Sequence, residues 1–394
     1  MAETKMYTHS HPYTTLLTHL SSHLPYCGPL LRRIQYQVTH RLPTAHVLAT
    51  FPESGLGIES EDQRPWLAAY ADIHRGPDTQ VWLFSSLEAP SSSIKTSPRS
   101  PLSPNKDDNG NALGHFKAQD PKTGDLDLAK SQLHSLFTFI NSTLIPPYLE
   151  SLPSTPTAQV QKEEGVKKIP AHPKTSFLLG TIHIGIVGLI SEISTVHDPS
   201  SNVRILRGKD VFYTKYCFPS SSFSVSSSAE LERVSNDGYT YTFTSPSGIS
   251  GIQESHLDLV KNRTNIPRSK EALLAMGGVA LFHSPSPSST VPGTKEEEMP
   301  ISWAFLGFDG SLCSLHVEVE HRGKGLGGVV GKEVMKRGGD VFGSTVRGPE
   351  DSRDKVEWFY ADVSVANTAS KRVMEKMGGE VGWTTAWMVV EVDN

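Results

Sequence analysis

Residues 316–339, HVEVEHRGKGLGGVVGKEVMKRGG, join an apolar–polar alternation to a helical repeat. The turn between them holds Arg322, Lys324 and glycines at 323, 325, 327 and 328. The first N–H groups of a helix lack intrahelical partners, and the helix dipole favours negative charge there. Glycine lets an anion approach those groups closely, while Arg322 and Lys324 add full positive charges. The chemistry implied is capture of a phosphate-like anion; the alternative is a tight turn with solvated basic residues. On the preceding strand, alternation puts Ser314, His316 and Glu318 on one face and Cys313, Leu315, Val317 and Val319 on the other. An imidazole then lies beside a carboxylate, a pair suited to moving a proton.

Two nucleotide-binding readings of the turn fail on context. Gly323, Gly325 and Gly328 satisfy G-x-G-x-x-G, but that fingerprint needs a strand early in a series of parallel strands. Here an antiparallel hairpin precedes it and only 66 residues follow Gly328. A phosphate loop of the Walker type needs Ser or Thr after Gly331-Lys332, and Glu333 stands there.

The elements that must position these residues read clearly in the second half. QESHLDLVKNR and RSKEALLAM have helical spacing, and GGVALFH (Gly277–His283) reads as a strand. ISWAFLGFDGSLCSLHVEV reads as a hairpin about Asp309-Gly310. Leu326, Val329, Val330 and Val334 form a helical stripe that Gly338 and Gly339 are expected to close. VEWFYADVSV is a strand, NTASKRVMEKMGG a capped helix and WTTAWMVVEV a last strand, which gives α-α-β-β-β-α-β-α-β from about Gln253. The class is α/β (α+β), a mixed sheet flanked by helices. In the first half, HVLATF, PWLAAYADI and QVWLFSSLE read as strands, followed by a helix near Ala129–Leu152 and the buried run SFLLGTIH.

Segments rich in Ser, Pro and charge separate these elements. We divide the chain into an N-terminal α/β domain, residues 1–245 with a disordered insertion at 89–125, and a C-terminal domain, residues 246–394 with a flexible loop at 284–300. Residues 151–174 and 220–238 read as linkers, and no repeat of 20–50 residues is visible.

At 394 residues and a formal charge of −5, the chain carries no basic footprint for nucleic acid or an anionic membrane. Cys27, Cys217 and Cys313 are far apart and without metal-ligand spacing, so no metal is expected. The N-terminus shows no signal or transit pattern, and the most apolar run, Ser176–Ile190, is shorter than the roughly 20 residues of a membrane span. A cytoplasmic location follows as the expectation, with partners limited to small molecules and the oligomeric state open.

Arg322-Gly-Lys-Gly325-Leu-Gly327 resembles the R/Q-x-x-G-x-G/A motif of the GNAT superfamily of acyl-CoA N-acyltransferases. ADVSVANTASKRVMEKMGG resembles the strand and helix that follow in that family. ISWAFLGFDGSLCSLHVEVEHRGKGL is most similar to the glycine N-acyltransferase-like branch, and the likeness covers roughly Gln253–Val392. It implies a mostly antiparallel GNAT-type sheet, with the first half a degenerate second copy that lacks the glycine motif. It further implies direct transfer of an acyl group, acetyl first among them, from acetyl-CoA to the amine of a small molecule or amino acid. The strand before the motif is expected to splay from its neighbour, with the main chain of Leu315, Val317 and Val319 pairing with the pantetheine arm. Arg322, Gly323, Lys324, Gly325, Leu326 and Gly327 are expected at the pyrophosphate, and Asn367 and Ser370 near the thiol end. His316, Glu318 and Asp362 are the candidate bases. The family's tyrosine acid is matched by Met374, a departure that keeps a non-catalytic acyl-CoA-binding module as the alternative.

Overall fold

Alternation of side chains about strands that are covered on both faces sets the first half of the molecule. The computed structural model describes residues 4–12, 15–54, 64–76, 78–89, 122–153, 169–195, 197–199, 201–223, 227–235, 240–284, 299–343 and 357–393. Of the expected insertion at 89–125, residues 90–121 lie outside this set, as do residues 285–298 of the expected loop at 284–300. The first half runs β1 (Tyr7–Thr8), α1 (Leu16–Ser21), α2 (Gly28–Thr39), β2 (His46–Ala49), β3 (Leu67–Ala71) and β4 (Val81–Ser85). It continues through α3 (Thr123–Phe139), a π turn at Ile140–Leu144, α4 (Ile145–Ser151), β5 (Ser176–His183), α5 (Ile184–Glu192), β6 (Val203–Arg207) and β7 (Phe212–Pro219). Leu67, Ala69, Ala71, Val81 and Leu83 pack against α3, whereas Ala68, Tyr70, Trp82 and Phe84 pack against α1 and α2. Helices on both faces explain why LAAYA and VWLFS read as unbroken apolar runs.

The second half begins with α6 (Ser227–Val234) and β8 (Thr240–Thr242), then α7 (Leu257–Asn262), α8 (Lys270–Met276), β9 (Gly278–Ser284), β10 (Ser302–Leu306) and β11 (Ser311–Val317). It ends with α9 (Leu326–Gly343), β12 (Trp358–Ser364), α10 (Thr368–Lys376) and β13 (Glu380–Val392). One face of its strands packs on α9 and the other, through Trp303 and Phe305, on α7 and α8.

From β8 the second half runs strand, two helices, three strands, helix, strand, helix, strand, and the first half follows the same order with α3 and α4, joined by the π turn, in the place of α9 and with β6 as an additional strand before β7. The sheet reads β1-β2-β3-β4-β5-β13-β7-β12-β11-β10-β9-β8, with β6 also paired to β13. Among the described strands only β4–β5 and β11–β12 are parallel, and every other described pair is antiparallel. Each half's last strand is exchanged, so β13 lies beside β5 of the first half and β7 beside β12 of the second. The sheet is therefore mixed and mostly antiparallel, flanked by helices.

Two expectations need correcting. The helix after the glycine turn does not close at Gly338 and Gly339 but runs on to Gly343. Gly338 serves close packing instead: a Cβ there would stand 1.9 Å from the Leu306 side chain, so glycine is what lets α9 lie on β10. The segment read as a linker at 220–238 contains α6, whose Glu230 and Leu231 are buried. A 2.7 Å ion pair from Lys332 to Glu230 ties α6 to α9, a long-range contact that composition does not reveal.

Candidate functional site

The strand that leads into the glycine turn is irregular. On β11 the hairpin register Leu306↔Leu312 and Phe305↔Cys313, continued, would set Trp303 opposite Leu315, yet Trp303 pairs with His316. One extra residue on β11 forms a bulge, and Ser314 sits there at φ 51, the left-handed region that costs most residues energy. The bulge corrects the faces expected from strict alternation. Cys313 packs with Trp303 and the α7–α8 side, on the face of His316, while Leu315 and Val317 join Leu312 on the α9 side. Val319 lies outside the strand, in a single 3-10 turn at Val319–His321, and is 64 % exposed.

On its other edge β11 pairs with parallel β12 at Ser311↔Tyr360 and Leu312↔Ala361 alone. Beyond that point β12 continues along β7, from Asp362↔Lys215 to Ser364↔Tyr213, and the two parallel strands part. The main chain from Cys313 to Val317 therefore has an edge with no described strand upon it, the kind of edge that an extended amide-bearing ligand can pair with.

At the end of β11 the chain enters the glycine turn. Arg322 folds back and donates from Nε to the Val317 carbonyl at 2.9 Å. Gly323 and Gly325 take φ 79 and 82, values that only glycine adopts without strain. Gly325 O accepts from the amides of Gly328 and Val329 as α9 starts. The amides of Gly323, Gly325, Leu326 and Gly327 donate to no described backbone carbonyl. Lys324 Nζ donates to the Tyr241 hydroxyl at 3.0 Å, and His283 and His321, with ring centres 5.5 Å apart, complete a basic and aromatic wall. This arrangement can hold an anion through open N–H groups, the helix dipole and the cations beside it.

Of the candidate bases, the structure brings two together. His316 Nε2 is 3.6 Å from Glu318 Oε2, too long for a hydrogen bond but close enough for charge to act. Burial is the main cause that pulls His316 below the usual imidazole range; Glu318 opposes it, and Arg322 and Arg263 reinforce it. A neutral imidazole able to accept a proton is the result. Trp303 stacks on His316 with ring centres 4.6 Å apart, and Arg263 Nε holds Glu318 at 3.0 Å. Both partners were missed in the sequence: the bulge hides the first pairing, and nothing local links Arg263 with Glu318.

Asp362 stands elsewhere. It pairs with Lys215 at 2.6 Å, accepts from Thr385 at 2.9 Å and from Thr181, and among the described residues makes no hydrogen bond or ion pair with His316 or Glu318. Burial raises its pKa, with Lys215 pulling the other way. A carboxylate so committed is poorly placed to take a substrate proton. Asn367 caps α10, its side chain accepting from the Ser370 amide at 3.0 Å, so both hoped-for contacts lie at that helix start. Met374 is buried in the core cluster that α9 packs into.

Among the described residues no group of three His, Cys, Asp or Glu side chains could hold a metal ion, and no helix is long and apolar enough to cross a membrane.

Comparison with known proteins adds to this geometry. The model of a family described as the acyl-CoA N-acyltransferase verG N-terminal domain matches residues 3–216, more than half of the chain. None of the curated proteins matches. Among solved structures, a Drosophila protein is 10% identical over 98% of both chains, with a TM-score of 0.50, which is a likeness of fold alone. A GCN5-related N-acetyltransferase from Sphaerobacter thermophilus is 12% identical, with 84% of this chain and 82% of that one covered and a TM-score of 0.31. Another from Kribbella flavida is 12% identical over 56% and 68%, at 0.30. Similarities that low carry no argument.

Proposed function

From the premise that the chain belongs to the family of acyl-CoA N-acyltransferases with a verG N-terminal domain, we propose that its second half binds acetyl-CoA and passes the acetyl group directly to the amine of a small molecule or amino acid. One observation carries the reading: the open amides at the start of α9 continue from the unpaired edge of β11. An anion at Arg322–Gly327 and an extended arm along Cys313–Val317 would make one continuous ligand, which is the form of a coenzyme A thioester. Its fit is supported by Gly323 and Gly325, whose conformations leave their amides uncapped by any described carbonyl. Within the GNAT superfamily we place the chain nearest the glycine N-acyltransferase-like branch, on the likeness of residues 301–326.

In this reading the protein positions the amine against the thioester carbonyl, and positioning supplies much of the rate. His316 takes the proton from the attacking amine, with Glu318 steadying the imidazolium that forms. Donors on the open edge of β11 would face the charge that develops on the carbonyl oxygen. Three free cysteines support a reducing, cytoplasmic setting.

A second reading, a module that binds acyl-CoA without turnover, is favoured by Met374, since a buried thioether cannot protonate a departing thiolate. The test is calorimetric titration of acetyl-CoA into the wild type and into Arg322→Ala/Gly325→Trp. Binding lost in the variant supports the coenzyme site, and absence of binding by the folded wild type overturns it. Release of coenzyme A with a panel of amines then separates transferase from binding module.

A further inference from the structure

The parting of β11 from β12 has a counterpart in the first half. β4 and parallel β5 pair at Val81↔Leu179 alone, after which β5 runs on along β13. Between Leu179↔Met388 and Ile182↔Ala386 β5 carries one extra residue, and Thr181 sits there at φ 51. The Thr181 hydroxyl accepts from Lys215 and donates to Asp362 at 3.3 Å. In the wedge between the two strands lies a small cavity, lined among others by Tyr26, Trp82, Phe84, Glu88, Thr181 and Trp383. It has room for about one water-sized group. Tyr26 stacks on Trp383 with ring centres 5.3 Å apart.

Glu88 brings the one carboxyl to this wall, and it is 6 % exposed. Its Oε1 accepts from the Ser85 amide at 2.8 Å, while Oε2 makes no hydrogen bond to a described residue. The titratable groups around it are Tyr26, Cys27 at the start of α2 and Lys215 on β7. Lys215 is already matched by Asp362 on β12 at 2.6 Å. Burial therefore prevails, and Glu88 keeps its proton up to a pKa of about 8, although the Ser85 amide and Lys215 both pull the other way.

We propose that this wedge is a binding site for the ammonium end of a small primary amine, with the Glu88 carboxylate as its counter-ion. The charge count selects a cation. Two carboxyls stand here with one ammonium, so a second ammonium lets Glu88 ionise with its charge matched, whereas an anion would find no unmatched positive charge. Aromatic side chains beside the carboxyl suit a cation taken out of water. The size of the cavity admits an NH3+ group and excludes a quaternary ammonium. None of the lining residues belongs to β11 or the glycine turn, so the site stands apart from the coenzyme reading and does not depend on it.

The experiment is titration of methylammonium chloride into the full chain at pH 6 and pH 9, with ionic strength held constant by sodium chloride, read by tryptophan fluorescence and calorimetry. An alkylammonium, like a lysine side chain, keeps its charge over this range. Because the ligand displaces the Glu88 proton, its affinity is expected to rise about 100-fold from pH 6 to pH 9, most of that below pH 8. Glu88→Gln keeps an acceptor for the Ser85 amide, and should lower the affinity at pH 9 at least about tenfold and remove the pH dependence. Tetramethylammonium should give no response. Absence of methylammonium binding at pH 9 means that the cavity holds water alone and overturns the proposal. Equal affinity in Glu88→Gln, or a response that tetramethylammonium reproduces, overturns it as well.

Discussion

Lys215 and Asp362 occupy paired positions on β7 and β12, one strand from each half of the chain, and their charges meet at 2.6 Å with 0 % and 6 % of the side chains exposed. Their ion pair is a bolt through the exchanged strands. Removing one partner strands the other charge in the core, so Lys215→Met or Asp362→Asn should each cost about 3–5 kcal/mol, read by denaturant unfolding. The double variant Lys215→Met/Asp362→Leu should regain most of that loss. It also tests Asp362 as a base: a stable double variant that still transfers acyl groups removes Asp362 from the chemistry.

The sequence exposed the elements but not their exchange. The hairpin about Asp309-Gly310, the glycine turn and α10 were legible because each is set by local spacing and by residues with one conformational use. β7 was not singled out, because VFYTKYCFP buries Lys215 and gives no clean alternation; its partner Asp362 lies 147 residues away. The repeat of the fold order in both halves was legible only through the family resemblance, which implied a degenerate second copy, since the halves share strand order rather than residue type. Among the site residues, His316 beside Glu318 was readable, whereas the bulge that turns Cys313 to their face was not. A left-handed Ser carries no mark in sequence.

That bulge makes its own prediction. Ser314 at φ 51 bears a cost that glycine would not. Ser314→Gly should leave stability unchanged or raise it by up to about 1 kcal/mol, because relief of strain is partly offset by the greater freedom of the unfolded chain. Ser314→Val should lower stability by about 1–3 kcal/mol, since a β-branched residue tolerates that backbone worst. Thermal unfolding of the two variants decides; a valine variant as stable as wild type would mean that the extra residue sits elsewhere on β11.

Glu88 provides a pH signature. It is buried between β4, the first-half helices and the exchanged strand β13, in a small cavity lined also by Thr181, Tyr26 and Trp383. Burial is the main cause that raises its pKa from 4.5 to about 8, with the Ser85 amide and Lys215 acting in the opposite sense. Between those values the folded protein binds more protons than the unfolded chain, so this contribution is complete below 4.5 and is lost as pH rises through 8. Glu88→Gln keeps an acceptor for the Ser85 amide and removes the titration. Its stability relative to wild type should therefore improve between pH 5 and 9, by on the order of a few kcal/mol. Parallel stability curves for the two proteins would show that Glu88 is not held protonated.

His316 offers the most direct view of the chemistry, because two neighbours push its pKa in opposite directions. Glu318 favours the imidazolium and Arg263 disfavours it. With His316 as base, kcat/KM should rise with pH through a value below the usual imidazole range and then level off. Glu318→Gln removes the opposing carboxylate, so the rise should move to lower pH. Arg263→Ala removes a cation and frees Glu318 from its 3.0 Å partner, so the rise should move to higher pH. His316→Ala should abolish this limb and lower kcat by about 10²–10⁴-fold. A structural role for the pair would change rates without moving the limb in opposite senses. A limb that keeps its position in both variants, or that survives in His316→Ala, assigns the proton to another group.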